Sequence, residues 1–375
     1  MAALFVIVSL PALALGTGPC DTPAGYDEEE YQRMLAFMET TDENGVKNGQ
    51  KVVAAYDGFY LPNDPAGWSY YWYDHENGGL YMYGIFFSDE EPRRVVGFCL
   101  DDMDLVGSLD ASGFTELSEV YCANNRLTRM SFSGCTDMRV LLCPNSGIEA
   151  LLIDGCTALE ALDCSGNALT NLDASGCTAL MDIECCDNAL TSLVFAGCVQ
   201  LRWLNCRNNL LTSLDLSACP ELSFLECRGN RLTELDFSSN PGLPFDSITA
   251  EGAGFIAYTY MENGGPFLDE AAVAEPAPGS TFVGWYTPLG GFISDSPVLR
   301  TDETNAMELV ARFEGGIPGD ANGDGTVDLA DALLVLRFAL GIAELGNETV
   351  CDMNGDGAVD VQDALYILRR AMGLC

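Results

Sequence analysis

The stretch that decides the fold reads Leu159-Glu-Ala-Leu162-Asp-Cys164-Ser-Gly-Asn167-Ala-Leu169-Thr-Asn-Leu172-Asp-Ala-Ser-Gly-Cys177. The same pattern recurs on both sides of it, and each position repeats at every twenty-first place in the chain. Two columns of cysteine keep that step: Cys122, Cys143, Cys164, Cys185, Cys206 and Cys227, and Cys135, Cys156, Cys177, Cys198 and Cys219. A constant step of this length predicts a solenoid, because each turn can bury its apolar side chains only against neighbouring turns.

The pattern resembles the leucine-rich repeat family, with cysteine in place of the third consensus leucine, and we place the solenoid at residues 106–247. A polar residue recurs at the bend after each strand, where a buried amide can satisfy the backbone of adjacent turns. The amides are Asn125, Asn167, Asn188, Asn209 and Asn230. Ser146 takes this place in the second turn, which predicts a looser turn there.

The cysteines admit two interpretations: a disulfide framework or small apolar filler of the core. Filler is favoured, because a ladder of equivalent side chains offers each thiol neighbours but no unique partner. Cys186 lies beside Cys185 at a position that should face outward. We therefore expect Cys186 to be the reactive cysteine of the repeats.

The residues that flank the buried one in each strand should point to the concave face of the solenoid. One column is Glu119, Val140, Ala161, Asp182, Trp203 and Phe224, and the next is Tyr121, Leu142, Asp163, Glu184, Asn205 and Glu226. Aromatic residues and arginine are enriched in binding hot spots. The hypothesis is a protein-binding concave face that uses Tyr121, Trp203, Arg207, Phe224 and Arg228. Trp203 and Phe224 could instead only cover the end of the core.

Composition excludes several classes of function. Among 375 residues, 56 Asp and Glu oppose 17 Lys and Arg, and the net charge of −39 would repel a nucleic acid. His75 is the single histidine, which leaves no pair of imidazoles for zinc. Residues 1–18 are apolar and end in small residues, as in a signal peptide. We therefore expect an exported protein without a membrane span, of more than one domain.

The flanks of the solenoid differ from its repeats. Residues 19–105 begin with a predicted helix at Asp27–Met38 and continue into an aromatic-rich stretch, interpreted as an N-terminal cap. Its aromatics are Tyr56, Phe59, Tyr60, Trp68, Tyr70, Tyr71, Trp72, Tyr73, Tyr81 and Tyr83, and stacking on sugar rings is the alternative role. Residues 248–314 show short strands, resemble the small β repeats of internalin-type leucine-rich proteins and should form a spacer domain. Gly315, Gly316, Pro318 and Gly319 mark a linker.

Two acidic loops match position for position, at Asp320–Asp331 and Asp352–Asp363. Their spacing is that of a calcium loop: side-chain oxygens at positions one, three, five, nine and twelve, a backbone carbonyl at seven and glycine at six. The predicted ligands are Asp320, Asn322, Asp324, Thr326, Asp328 and Asp331, and Asp352, Asn354, Asp356, Ala358, Asp360 and Asp363. We expect two Ca²⁺ ions and, because the loop carboxylates repel one another, folding that depends on calcium.

Position twelve is aspartate in both loops, and a Gly-rich stretch replaces the entering helix of an EF-hand. With the helices predicted at Ala332–Leu340 and Ala364–Met372, residues 315–375 resemble the dockerin module. The resemblance implies docking to a cohesin module of a scaffolding protein. Family recognition positions correspond here to Leu329, Ala330, Arg337, Val361, Gln362 and Arg369. The hydroxyl pair of one dockerin group is absent, so the cohesin type stays open, as does pairing of Cys351 with Cys375.

The expected fold class is α+β and multidomain: a leucine-rich repeat solenoid with an N-terminal cap, a small β domain and a C-terminal all-α dockerin. The expected function is that of a secreted, noncatalytic interaction protein of a cellulosome-like system, associated with polysaccharide degradation. The alternatives are a carbohydrate-binding protein or a glycoside hydrolase accessory that carries a dockerin. Asp182 and Glu184 could mimic a carboxylate pair, but a regular solenoid lacks the enclosed cleft that would raise the pKa of an acid.

Overall fold

The computed structural model describes residues 22–54, 60–62, 64–74, 79–262, 268–301, 304, 306–346, 348–354, 357–372 and 374. Its helices are α1 (Glu28–Glu39), α2 (Asn48–Ala54), α3 (Leu329–Ala339) and α4 (Val361–Ala371), with 3-10 turns at Pro65–Trp68 and Glu348–Val350. Its strands are β1 (Ser69–Asp74), β2 (Gly79–Phe87), β3 (Val95–Cys99), β4 (Val106–Asp110), β5 (Glu119–Tyr121), β6 (Arg126–Ser131), β7 (Val140–Leu142), β8 (Ala150–Leu152), β9 (Ala161–Asp163), β10 (Asn171–Asp173), β11 (Asp182–Glu184), β12 (Ser192–Val194), β13 (Trp203–Asn205), β14 (Phe224–Glu226), β15 (Glu234–Asp236), β16 (Ser247–Glu251), β17 (Gly254–Glu262), β18 (Leu268–Pro276), β19 (Ser280–Tyr286), β20 (Phe292–Ser294), β21 (Val298–Arg300) and β22 (Glu308–Gly315).

A β-solenoid forms the body of the molecule. In the described residues its main sheet has the order β1-β2-β3-β5-β7-β9-β11-β13-β14, and the strands from β3 onward are parallel. Equivalent residues of successive turns pair directly, so Asp182 faces Trp203 and Trp203 faces Phe224. Shorter parallel sheets, β4-β6-β8 and β10-β12, line the other side of the turns. The prediction of a repeat protein, with one turn for about every twenty-one positions of the chain, is confirmed.

Cysteine fills the core of the solenoid. The eleven cysteines that keep the step of the repeat are 0% exposed, and all described cysteines are free thiols. The Sγ of Cys156 donates to the carbonyl of Phe132 in the preceding turn at 3.1 Å, and that of Cys198 donates to Ala174 at 3.3 Å. The interpretation as apolar filler is therefore confirmed for these residues.

The amide ladder satisfies the backbone at the bends. The Nδ2 of Asn209 donates to the carbonyls of Cys185 and Cys206, both at 3.0 Å, and its Oδ1 accepts from the N–H of Leu190 at 2.9 Å. Ser146 is fully buried and its hydroxyl donates to Cys122 of the preceding turn at 2.6 Å. This bond replaces one of those that an asparagine makes at the equivalent place, and the looser turn at Ser146 stays a prediction.

The N-terminal region adds strands to one edge of the main sheet. The helix predicted at Asp27–Met38 is confirmed as α1, which begins after Asp27, whose carboxylate accepts from the N–H of Glu30 at 3.1 Å. Trp68 is fully buried and stacks on Tyr31 with ring centroids 5.4 Å apart. The predicted signal peptide, His75 and the aromatics Tyr56 and Phe59 lie outside the described residues, as do the side chains of Tyr71, Trp72, Tyr73 and Tyr81.

Strands β16–β22 (Ser247–Gly315), which we call the β unit, close the other end of the solenoid. Strand β15 of the last turn pairs with β16. The N–H of Cys227 donates to the carbonyl of Tyr258 in β17 at 3.1 Å, which takes the place of the carbonyl of a further turn. One hydrophobic cluster runs from Tyr31 through the solenoid to Phe313. The β unit therefore shares its core with the repeats.

Helices α3 and α4 pack together on a separate, smaller core that includes Ala332, Val335, Cys351, Ala364 and Ile367. Both helices begin three residues before their predicted starts, at Leu329 and Val361. Cys351 is buried and free, whereas Cys375 lies outside the described residues. In the part of the chain that the structure describes, no helix is both long and apolar enough to cross a bilayer.

Candidate metal centre and binding surfaces

The first acidic loop is organised around the carboxylate of Asp320, which is 5% exposed. Its two oxygens accept the N–H groups of Asp324 at 3.1 Å and Gly325 at 2.9 Å. The Oδ1 of Asp324 accepts the N–H and the hydroxyl of Thr326, at 2.9 and 2.6 Å. Asn322 is tied to Asp324 through its own Nδ2, at 3.0 Å. The side chains at positions one, three and five are thus linked within one tight loop.

Positions nine and twelve join the loop to helix α3. Asp328 is the N-cap residue and accepts the N–H of Ala330 at 2.6 Å. Asp331 is 0% exposed, and its oxygens accept the N–H groups of Asn322 at 3.0 Å and Asp328 at 2.8 Å. This reciprocal arrangement is a capping box, with aspartate in the place of the usual glutamate. The loop and the first turn of the helix are therefore one structure.

The second loop repeats these contacts. Asp352 accepts the N–H of Gly357 at 2.9 Å, as Asp320 accepts that of Gly325. Asp363, also 0% exposed, accepts the N–H groups of Met353 and Asp360 at 2.8 and 2.9 Å, and Asp360 caps α4. The predicted ligand Asp356 lies outside the described residues.

Burial raises the pKa of Asp320 and that of Asp331, and the charges of the neighbouring loop carboxylates act in the same direction, while backbone hydrogen bonds oppose them. A cation in the loop would offset this accumulation of buried negative charge. In the described residues no three His, Cys, Asp or Glu side chains form a compact metal cluster. The oxygens of Asp320 and Asp324 are instead engaged by N–H groups of the loop itself. Carboxylate, amide and backbone carbonyl oxygens are the ligands that calcium prefers. The donor set of the first loop fits calcium.

The residues predicted to bind a cohesin are all exposed: Leu329, Ala330, Arg337, Val361, Gln362 and Arg369. Leu333 and Leu365 are also exposed, by 53% and 48%, and the sequence reasoning missed them. Each lies four residues after the exposed first residue of its helix, Leu329 or Val361, and therefore on the same helix face. That spacing is the signal that could have identified them. Together these side chains form a pair of apolar strips, each with an arginine near its end.

The concave face carries an aromatic pair near its C-terminal end. The rings of Trp203 and Phe224 stack with centroids 3.3 Å apart and planes 3° apart, and Trp203 is 37% exposed. The Nε1 of Trp203 donates to Glu184 at 2.6 Å, and the Nδ2 of Asn205 donates to the other carboxylate oxygen at 2.7 Å. The indole is thus fixed on two sides.

Each predicted arginine follows the strand that carries one of the two rings, and each has an acidic neighbour. Arg207 is 3.5 Å from Asp187, and Arg228 is 3.1 Å from Glu226. Tyr121 lies on β5, four strands from Trp203 in the sheet order, which corresponds to roughly 19 Å. Its hydroxyl donates to Glu119 at 3.2 Å. The structure therefore places four of the five predicted concave residues in two adjacent turns, and Tyr121 apart from them.

Two expectations about side-chain chemistry are wrong. Cys186 is only 8% exposed, and burial, with a hydrogen bond to Asp187, raises the pKa of its thiol to about 11, so it is not a reactive outward cysteine. The pKa of Glu184 is raised by burial beneath its neighbours, although hydrogen bonds from Trp203 and Asn205 oppose the shift. A regular solenoid can therefore raise the pKa of an acid without an enclosed cleft.

Comparison with known proteins gives a family match over part of the chain and similarity to solved structures. Residues 318–371 match the Dockerin type I domain family. Among solved structures, the chain is similar to one described as "Functional domain of InlJ from Listeria monocytogenes includes a cysteine ladder", with 15% identity and a TM-score of 0.28. The similarity covers 59% of this chain and 66% of that one, slightly less than two thirds of its length. No curated protein matches. The chain thus carries a dockerin type I domain at residues 318–371, which follows a β-solenoid of regular repeats in the sequence.

Proposed function

We propose that this protein is a secreted, noncatalytic adaptor that docks to a cohesin on a cellulosome-like scaffold and presents its solenoid to a second protein. A dockerin implies a cohesin as its partner, and dockerin type I domains bind calcium. The single observation that carries the proposal is the duplicated loop and helix, which repeats the same hydrogen bonds at Asp320 and Asp352, and at Asp331 and Asp363.

Each loop holds one Ca²⁺ ion in this proposal. The twelve ligands are the residues at positions one, three, five, seven, nine and twelve of each loop, as the sequence predicts. Calcium supplies the positive charge that orders the loops, while the chain's own carboxylates and backbone position the two helices. The division into segments 19–105, 106–247, 248–314 and 315–375 is part of the same proposal, and the first three of these segments share one hydrophobic cluster.

The cohesin contact uses the two exposed helix strips. Leu329, Leu333, Val361 and Leu365 give the apolar centre, and Arg337 and Arg369 give its charged edge. An apolar centre with a polar rim is the usual composition of a specific protein interface. Because the two halves are nearly equivalent, either helix can lead the contact.

The concave patch of Trp203, Phe224, Arg207 and Arg228 is the proposed site for the second protein. A rigid, half-exposed aromatic loses little side-chain entropy on binding, and the two arginines offer directional hydrogen bonds. The N-terminal aromatics support the carbohydrate-binding alternative less well, because Trp68 is fully buried and has no face to offer a sugar ring. An enzyme is also less well supported, since both carboxylate oxygens of Glu184 accept hydrogen bonds from the adjacent strand, from the side chains of Trp203 and Asn205.

The proposal also places the protein outside the cell and associates it with polysaccharide degradation. Dockerin-bearing proteins are typically extracellular. The predicted signal peptide at residues 1–18 agrees with export.

One experiment tests the proposal. The full chain is immobilised and incubated with secreted proteins of the organism that makes it, with calcium or with a chelator. We expect calcium-dependent recovery of a protein that contains a cohesin module. The full-chain double variant Asp320→Ala, Asp352→Ala should lose that protein in both conditions. Equal recovery with and without calcium, or the same recovery by the double variant, would refute the calcium-dependent docking.

A further inference from the structure

The first acidic loop packs against the β unit. A methyl group placed on Gly323 would lie 3.1 Å from Cζ of Phe255, and one placed on Gly325 would lie 2.7 Å from Cγ of Pro278. Phe255 belongs to strand β17, and Pro278 follows strand β18. The backbone of the loop therefore lies directly on these two side chains, with room for little more than a hydrogen atom at Gly325.

The short segment that joins the β unit to the loop is bonded at both ends. The N–H of Gly316 donates to the carbonyl of Gly279 at 3.1 Å, and that of Gly319 donates to Val350 at 2.6 Å. A methyl group on Gly279 would lie 3.2 Å from Cγ1 of Ile317. These contacts hold the predicted linker against both neighbouring parts of the chain.

The two loops differ in these surroundings although their sequences match. Gly357 is the counterpart of Gly325, and among the described residues, its chain neighbours apart, a methyl group placed on it would meet no atom within 4 Å. In the part of the chain that the structure describes, packing at this loop position is therefore found in the first loop and not in the second.

We propose that the β unit is a built-in partner of the first loop, and that calcium binding there and packing on Phe255 and Pro278 stabilise each other. An ordered loop presents a fixed surface to the β unit, and a docked loop has fewer conformations to lose when it binds calcium; such coupling is reciprocal. The two calcium sites consequently differ in their coupling to the β unit. Calcium bound in the first loop fixes the orientation of the solenoid relative to the dockerin domain, and so relative to the scaffold. The proposal rests on the proposed function only in that the loops bind calcium.

Hydrogen exchange of the full chain, with and without calcium, is the first test. We expect calcium to slow amide exchange in both loops and also at residues 253–256 and 277–280 of the β unit. Asp320→Ala should remove the effect in the β unit, and its counterpart Asp352→Ala should leave it. Protection confined to the loops, or protection of the β unit that Asp352→Ala removes equally, would overturn the proposal.

Calcium affinity is the second test, measured by calorimetry in two full-chain backgrounds that each retain one loop. In Asp352→Ala, where the first loop remains, Phe255→Ala should weaken calcium binding about fivefold or more, in the usual range of coupling between sites. In Asp320→Ala, where the second loop remains, the same change should have less than a twofold effect. Phe292→Ala is the matched control, because Phe292 lies in the β unit, is 61% exposed and is separate from the contact.

The outcomes separate this proposal from the proposed function. If neither background binds calcium, the proposed function fails. If both bind it and Phe255→Ala acts equally on the two loops, or on neither, only the coupling fails. If Phe255→Ala loses its native circular dichroism, Pro278→Gly takes its place as the test, because it removes the contact of the β unit with Gly325. Pro278→Gly must then weaken calcium binding at the first loop more than at the second.

Discussion

The carboxylate of Asp331 accepts the backbone N–H of Asp328 at 2.8 Å, and the carboxylate of Asp328 in turn accepts an N–H of the first helical turn. The two residues therefore begin helix α3 and also occupy positions twelve and nine of the first loop. The same carboxylates therefore serve the helix and the loop. Substitution of Asp331 by alanine or by asparagine separates the effect of its shape from the effect of its charge.

Asp331→Ala should lower both the helicity and the calcium affinity of the first loop. The N-cap Asp328 remains, but the partly buried N–H groups of Asn322 and Asp328 lose their acceptor, which costs about 1–3 kcal/mol. Asp331→Asn keeps the shape and one acceptor oxygen, so it should retain most of the helix and lose most of the calcium affinity. Far-UV circular dichroism and calcium titration measure the two effects. Calcium affinity in the Asn variant equal to that of the unmodified chain would exclude Asp331 as a ligand.

The near-equivalence of the two helices predicts redundancy in cohesin binding. Arg337 and Arg369 occupy the same place in α3 and α4, and both are exposed. Arg337→Ala and Arg369→Ala should each change the dissociation constant of the cohesin complex less than threefold, because the other helix can lead the contact. The double variant should weaken the complex by at least tenfold, as for loss of an interface hot spot.

Surface plasmon resonance with the captured cohesin measures these constants. Arg370→Ala is a control, because Arg370 donates to Pro318 at 2.9 Å and lies outside the predicted contact. Complete loss of binding from one single variant would show that the two halves are not interchangeable.

The stacked pair on the concave face predicts a hot spot for the second protein. Trp203→Ala removes a stack worth about 0.5–1.5 kcal/mol, so it should lower the melting temperature by only a few degrees. Binding of any protein that the chain retains after calcium is chelated should weaken at least tenfold. Leu210→Ala is the matched control: Leu210 is 38% exposed in the same turn but lies outside the concave strands. Equal binding by the two variants would refute the hot spot.

The sequence predicts the solenoid well because a constant period constrains every turn. Once Cys164 and Leu162 are assigned to the core, the constant step of the repeat assigns all their counterparts, and the observed register of Asp182, Trp203 and Phe224 follows. The period says less about positions beside the core. Cys186 differs from the small or polar residues at the same position of other turns, and only the structure reveals that its neighbours cover it.

The helix starts and the loop contacts show a second limit. Asp328 and Asp360 are predicted as ligands, but they are also the N-cap residues of α3 and α4. Both helices therefore begin three residues earlier than the apolar pattern indicates. The contact of Gly325 with Pro278 joins segments that are distant in sequence through a turn and a loop. No periodicity relates such segments, so the sequence pattern could not predict that contact.

Burial of Cys186 predicts slow alkylation. With a thiol pKa of about 11, the thiolate fraction at pH 8 is on the order of one in a thousand, so modification should be roughly two orders of magnitude slower than that of an ordinary exposed cysteine. The rate should rise about tenfold per pH unit towards pH 11, because the thiolate is the reacting species. Time courses resolved by peptide mass spectrometry give the rate for each cysteine, with a denatured sample as the reference. Rapid labelling of Cys186 in the native chain at pH 8 would contradict its observed burial.

The amide ladder predicts a graded loss of stability at one of its positions. Asn209→Ala leaves the buried carbonyls of Cys185 and Cys206 without their donor and should lower the free energy of unfolding by about 3 kcal/mol. Asn209→Ser should cost less, because the hydroxyl of Ser146 reaches the equivalent carbonyl, that of Cys122 in the preceding turn, at 2.6 Å. Urea unfolding followed by circular dichroism gives both values for the full chain. If serine and alanine destabilised the chain equally, the hydroxyl at Ser146 would not be equivalent to the asparagine amide, and the ladder would not be a chain of interchangeable donors.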